Sequence, residues 1–132
     1  VHEEIDVPVG LINSSWGGSP IEPWTVTDEG SGGMYNGMIA PLQPFGVRGA
    51  IWYQGETNVS RKNGLTYFDK TKDLIDGWRK TWNSELPFYF VQIAPWSGVR
   101  YEPGELPGLW EGQTASLKIP RTGMAVTTDL VD

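Results

Sequence analysis

Apolar residues along this chain gather in four short runs, residues 7–13, 48–54, 87–94 and 123–130, each rich in β-branched, aromatic or other apolar side chains and too brief for an independent helix. Such runs read as strands. Between them the spacing changes to that of helices. Residues 34–40 form a short helical stretch stopped near Pro41, and Leu65, Phe68, Leu74, Ile75, Trp78 and Trp82 fall mostly on one helical face, the pattern of a helix covering a sheet. Residues 109–119 give a shorter helix ended by Pro120. Strands alternating with helices predict βαβ units and a parallel sheet, hence an α/β fold. Residues 25–33 and 97–107, long and rich in glycine or proline, read as loops inserted over a site. There is no internal repeat, low-complexity tract or linker, so one domain is expected over residues 1–132.

Two strand ends carry the chemistry. In the segment from Gly49 to Asn58 an apolar run stops at Gln54-Gly55-Glu56-Thr57-Asn58. Ligands of open parallel sheets bind beyond the carboxyl ends of the strands, so amides and a carboxylate clustered there predict a pocket. The other junction runs from Val7 to Trp24. Residues 9–12 read as a buried strand, residues 13–19 as a loop with paired glycines, and Pro20 as part of a first helical turn with Ser19 as N-cap. Gly17 and Gly18 could then turn unpaired N–H groups toward an anion or oxyanion. Tight turning is the competing use of the same glycines.

Other candidates are narrowed by what surrounds them. Ser14 and Ser15 lack the first glycine of a G-x-S-x-G elbow, and the only histidine, His2, precedes them, so their hydroxyls are expected to bond within the loop. Glu56 reads either as a buried carboxylate that orients Gln54 or a loop N–H, or as a solvated loop acid. Trp16, Trp24, Tyr35, Trp96 and Tyr101 could wall a sugar site or pack in the core. Asp129 and Asp132 end the last apolar run, where an acid could orient a histidine or cap a turn.

Composition removes several classes. A net charge of −6 with ten scattered Lys and Arg leaves no basic patch for nucleic acid. With no cysteine and one histidine, disulfides and a thiolate metal site are excluded and a metal centre is not expected. No apolar run reaches the ~18 residues of a membrane span. No G-x-G-x-x-G or P-loop supports a nucleotide.

The segments VPVGLINSSWGGSPIEPW (7–24), MYNGMIAPL (34–42), GVRGAIWYQGETN (46–58), LPFYFVQIAPW (86–96) and LWEGQ (109–113) together resemble the sialate O-acetylesterase family of SGNH-type hydrolases. The resemblance covers nearly the whole chain in family order. It implies a flavodoxin-like three-layer α/β/α fold, a serine–histidine mechanism acting on acetylated carbohydrate, no cofactor, and a secreted or periplasmic setting. The family's GQSN-like serine block and IHP-like histidine block do not occur here, which implies an internal part of a single esterase domain, active only as the full-length protein. Carried over by residue, Gly17 or Gly18 supplies a backbone oxyanion donor and Gln54 the amide donor, with Glu56 in support and histidine, not Glu56, as base. Asn58 is the alternative amide, provided its loop folds back. Trp16, Asn58 and Trp96 are the expected substrate contacts. The contrasting possibility is a non-catalytic carbohydrate-binding module using the same cleft.

Overall fold

The computed structural model describes residues 2–95, 102 and 104–128. A short helix, α1 (His2–Ile5), leads into an extended segment and a single 3-10 turn over Glu22–Trp24. A small antiparallel hairpin follows, β1 (Val26–Thr27) with β2 (Gly30–Ser31). Then come β3 (Ala50–Trp52), α2 (Glu56–Ser60), α3 (Tyr67–Trp82), β4 (Phe88–Val91), α4 (Glu105–Ala115) and β5 (Thr122–Ala125).

The strands β3, β4 and β5 form one parallel sheet in that order, with Ala50 opposite Phe88 and Phe88 opposite Thr122. Helices join the parallel neighbours, as the alternation of runs requires. Because the order steps in one direction, crossovers of uniform hand place α3 and α4 on one face, where they pack together. Phe88 and Phe90 point to that face and are buried, while Ile51 and Tyr89 on the other are 78% and 56% exposed. The parallel α/β arrangement is therefore present, and the described residues build two of the three layers.

Helix α3 shows why its sequence is helical. Tyr67, Thr71, Leu74, Ile75 and Trp78 recur at helical spacing and are all buried. Complete burial of each large apolar side chain contributes about 1.5–3 kcal/mol. Arg79 and Lys80 sit in the last turn, and Asn83 ends the helix in the left-handed conformation with its N–H returned to Lys80. Gly77 has a packing reason. A Cβ there would lie 2.1 Å from the Val26 carbonyl oxygen, so only glycine lets β1 rest on α3. Trp52 is the hub where sheet, helix and loop meet, edge-on to Trp24 at 5.9 Å and to Trp78 at 6.1 Å. The Trp78 indole also donates to the Trp24 carbonyl at 2.9 Å.

Several expectations are corrected here. Residues 7–13 take no place in the sheet; Leu11 is 88% exposed and Ile12 is exposed too, so this run finds no packed face to stabilise a strand. The turn after Pro20 is one 3-10 turn with Ile21 as its N-cap, so no helix dipole stands behind Gly17 and Gly18. Residues 34–40 are helical in an altered form: a π-turn, Tyr35–Ile39, runs into a 3-10 turn, Ala40–Leu42, because Pro41 cannot donate to an α-helical continuation. Leu65 lies in a 3-10 turn ahead of α3 and is exposed. Helix α4 begins four residues earlier than expected, with Pro107 in its first turn, where no intrahelical N–H is needed. Loop 25–33 holds the hairpin β1–β2. Among the described residues no helix is long and apolar enough to cross a membrane.

Candidate functional site

Beyond the carboxyl end of β3 the chain turns sharply into α2. Gly55 makes the turn possible, since a Cβ there would press within 3.0 Å of Ile93 and Leu109. The loop 13–19 lies directly against this junction. Gln54 Nε2 donates to the Ser19 carbonyl at 3.1 Å, and the Thr57 hydroxyl donates to the Gly18 carbonyl at 3.0 Å. The loop 13–19 and the Gln54–Asn58 junction are therefore side by side.

On the outer side of this contact the loop 13–19 is open. Gly17 and Gly18 are exposed, and neither N–H has a hydrogen-bond partner among the described residues. Gly18 has φ +73°, a left-handed conformation suited to glycine. Trp16, beside them, is 63% exposed. The loop is braced from below: Ser14 Oγ donates to the Met38 carbonyl at 2.9 Å and Ser15 Oγ to Asn13 Oδ1 at 2.7 Å. Ser19 is no helix cap, for its Oγ donates to the Trp16 carbonyl and accepts from the Trp24 indole.

On the inner side the contact is a closed polar network centred on Asn58, which is 0% exposed. Asn58 Oδ1 accepts from the Ile21 N–H at 3.0 Å and from Gln54 Nε2 at 2.8 Å. Its Nδ2 donates to both Glu22 carboxylate oxygens, at 3.1 and 3.2 Å, and to Asn63 Oδ1 at 2.9 Å. Asn63 Nδ2 also donates to Glu22, and the Lys70 ammonium closes on the same carboxylate at 2.9 Å. Partial burial pushes the Glu22 carboxyl up; the bonds from Lys70, its own backbone and Asn58 outweigh this and hold it below the ordinary glutamate value.

The far end of Gln54 is held equally well. Tyr67 Oη lies 2.7 Å from Gln54 Oε1 and 2.9 Å from the Gln54 carbonyl, its one hydrogen shared between the two acceptors, while Gln113 Nε2 reaches the same carbonyl at 3.4 Å. Gln113 also accepts from the Ile93 N–H and donates to the Val91 carbonyl, tying the junction to the end of β4. Burial raises the Tyr67 hydroxyl far above its ordinary range, so it acts as a neutral donor.

The expected site residues therefore separate. Gly17, Gly18 and Trp16 are open and adjacent. Gln54 is beside them, although the free amide expected from sequence is not found: both its hydrogens are engaged, the longer bond being the one to Ser19 at the partly buried rim. Asn58 is corrected from a substrate contact to a buried junction, its bonding capacity used inside the protein. Glu56 opens α2 and is half-buried rather than buried, with no side-chain bond to Gln54 among the described residues. The carboxylate that supports the amides is Glu22. Trp24 and Tyr35 belong to the core and not to an aromatic wall. Trp96, Tyr101, Asp129 and Asp132 lie outside the described residues. Sequence reasoning missed Glu22, Asn63, Tyr67 and Gln113; the one available signal was that Glu22 and Gln113 stand inside the quoted segments PIEPW and LWEGQ.

Comparison with known proteins bears on this geometry. A family model described as carbohydrate esterase, sialic acid-specific acetylesterase, matches residues 1–131. The sialate O-acetylesterase of Homo sapiens is 31% identical over an alignment 167 residues long, taking in 100% of this chain and 32% of that protein. The sialate O-acetylesterase of Rattus norvegicus is 28% identical over 194 residues, covering 100% of this chain and 36% of its own length. The crystal structure of a carbohydrate acetylesterase from Xanthomonas citri superposes with a TM-score of 0.87 at 38% identity, over 99% of this chain and 33% of that one. This chain thus spans about a third of the length of the relatives it matches. On the family model and the structural match together, it belongs to the carbohydrate esterase family of sialic acid-specific acetylesterases.

Proposed function

We propose that this chain supplies the oxyanion side of an O-acetylesterase that removes acetyl groups from sugars, sialic acid among them. The nucleophilic serine and the histidine come from sequence outside these 132 residues, whose only histidine is His2. The observation that carries this reading is the contact between the two loops: the exposed loop that holds Gly17 and Gly18 packs on the Gln54 junction, with the Gln54 amide donating to the Ser19 carbonyl and the Thr57 hydroxyl to the Gly18 carbonyl.

Attack of a serine hydroxyl on the acetyl carbonyl turns the carbonyl oxygen into an oxyanion. Fixed donors aimed at that oxygen lower the barrier because the negative charge exists only there and then. Gly17 N–H, with Gly18 as its neighbour, is one such donor. Gln54 is the other, exchanging its 3.1 Å bond to the Ser19 carbonyl for the stronger bond to an anion. Trp16 offers an exposed ring face on which the apolar side of a sugar can stack. Glu56, at the head of α2, adds a half-buried carboxylate at the rim.

Hydrolysis of p-nitrophenyl acetate and of O-acetylated sialic acid by the 132-residue chain, and by the same chain with its flanking gene sequence, tests this. Only the longer protein is expected to turn over either ester. Turnover by the short chain that disappears in Ser15→Ala would overturn the assignment, and binding without hydrolysis by the longer protein would mark a carbohydrate-binding module.

A further inference from the structure

A side-chain amide is useful as an oxyanion donor only if its nitrogen, and not its oxygen, faces the reacting carbonyl. The two ends of a glutamine are nearly equal in shape, so something other than packing must choose between them. We infer that Asn58, oriented by Glu22 and the Ile21 N–H, is the positioning residue that fixes the donor end of Gln54 toward the acyl site. The inference rests on the proposed role of Gln54.

Some groups around Asn58 can only give a hydrogen and others can only accept one. The Glu22 carboxylate accepts and cannot donate, so the side of Asn58 that meets it must be Nδ2, at 3.1 and 3.2 Å. The Ile21 backbone N–H donates and cannot accept, so the side that meets it must be Oδ1, at 3.0 Å. Asn58 is thereby locked from both ends. With Oδ1 facing Gln54, the Gln54 group that meets it at 2.8 Å must be Nε2. Its second hydrogen then points to the Ser19 carbonyl at the rim, and Oε1 turns inward to the Tyr67 hydroxyl at 2.7 Å. A reversed Gln54 would set oxygen against oxygen at both Asn58 and Ser19, and at the buried Asn58 contact the two acceptors would be left unpaired. The ionised state of Glu22, favoured by Lys70 at 2.9 Å, keeps the first link acceptor-only.

The lock predicts a rescue that a merely structural role would not give. In the full-length esterase, Asn58→Asp places two carboxylates face to face and should lower kcat by roughly tenfold or more at little-changed KM. Adding Glu22→Gln restores one donor and one carboxylate with their places exchanged. The carboxylate introduced at position 58 still accepts from Ile21 and Gln54, so the double variant should recover most of the loss. Gln54→Ala, measured alongside, should lower kcat by roughly 10²-fold. If Gln54→Ala keeps normal kcat, the oxyanion reading fails and the lock has no catalytic purpose. If Gln54→Ala is crippled but the folded double variant also stays at the Gln54→Ala level, the lock is overturned while the oxyanion reading stands. Should Asn58→Asp not fold alone, the double variant decides by itself: a folded protein within about tenfold of wild-type kcat supports the lock.

Discussion

The Thr57 hydroxyl and the Gly18 carbonyl, 39 positions apart in sequence, meet at 3.0 Å and fix where the glycine loop stands against α2. Gly18 reaches that position only with φ +73°, while Gly17 beside it has no positive φ, and open space surrounds a Cβ at either. Gly18→Ala is therefore expected to lower the stability of the chain by about 1 kcal/mol, through backbone strain alone. Gly17→Ala should change it by less than about 0.5 kcal/mol. Urea unfolding of the two variants separates them, and equal losses would contradict the left-handed turn.

Asn58→Ala is expected to be among the most damaging single truncations outside the apolar core. It strands the Ile21 N–H and one hydrogen of Gln54 in the interior and removes the Nδ2 donor from both Glu22 and Asn63. Leaving buried polar groups unpaired should cost about 2–4 kcal/mol. Ser15→Ala, which loses one exposed bond to Asn13, should change stability by less than about 0.5 kcal/mol. A small loss for Asn58→Ala would mean that water replaces the network.

The Glu22 carboxyl makes stability depend on acid. Its folded value lies below the ordinary one, so the unfolded chain binds the proton more readily. Its contribution is fully present above the unfolded value, and it is lost as pH falls through that value, about 4.3, toward the lower folded one. The Tm gap between wild type and Glu22→Gln should be widest near neutral pH and close below about pH 4. A gap that stays constant from pH 7 to pH 3 would show that Glu22 acts by shape only. The group is partly exposed, so the gap is expected to be modest and to shrink with added salt.

What sequence reveals here follows from how each element is stabilised. Helix α3 and the inward faces of β3 and β4 bury their apolar residues against one another, so period and composition expose them directly. Residues 7–13 carry the same composition without a face to bury, and the pattern cannot tell the difference. The hairpin β1–β2 is held by two residue pairs and by close approach to Gly77, neither of which leaves a periodic trace. The meeting of the two loops is found although one of its expected grounds is absent, since the run at 7–13 forms no strand of the sheet. The network behind it was not legible. Glu22, Asn58, Asn63 and Tyr67 come from three separate stretches; Tyr67 reads as a core helix residue and Asn63 as an ordinary loop residue until their partners are seen.

The indole hub of Trp24, Trp52 and Trp78 joins the loop behind the candidate site to β3 and α3 through two edge-on ring contacts and one backbone bond. Rings so closely and asymmetrically held give the chain a chiral optical signature in the near ultraviolet that vanishes when fixed packing is lost, even if helices persist. The site scaffold thus carries its own built-in reporter. Its integrity can be followed in a variant that hydrolyses nothing, which separates a lost reaction from a lost structure without a substrate.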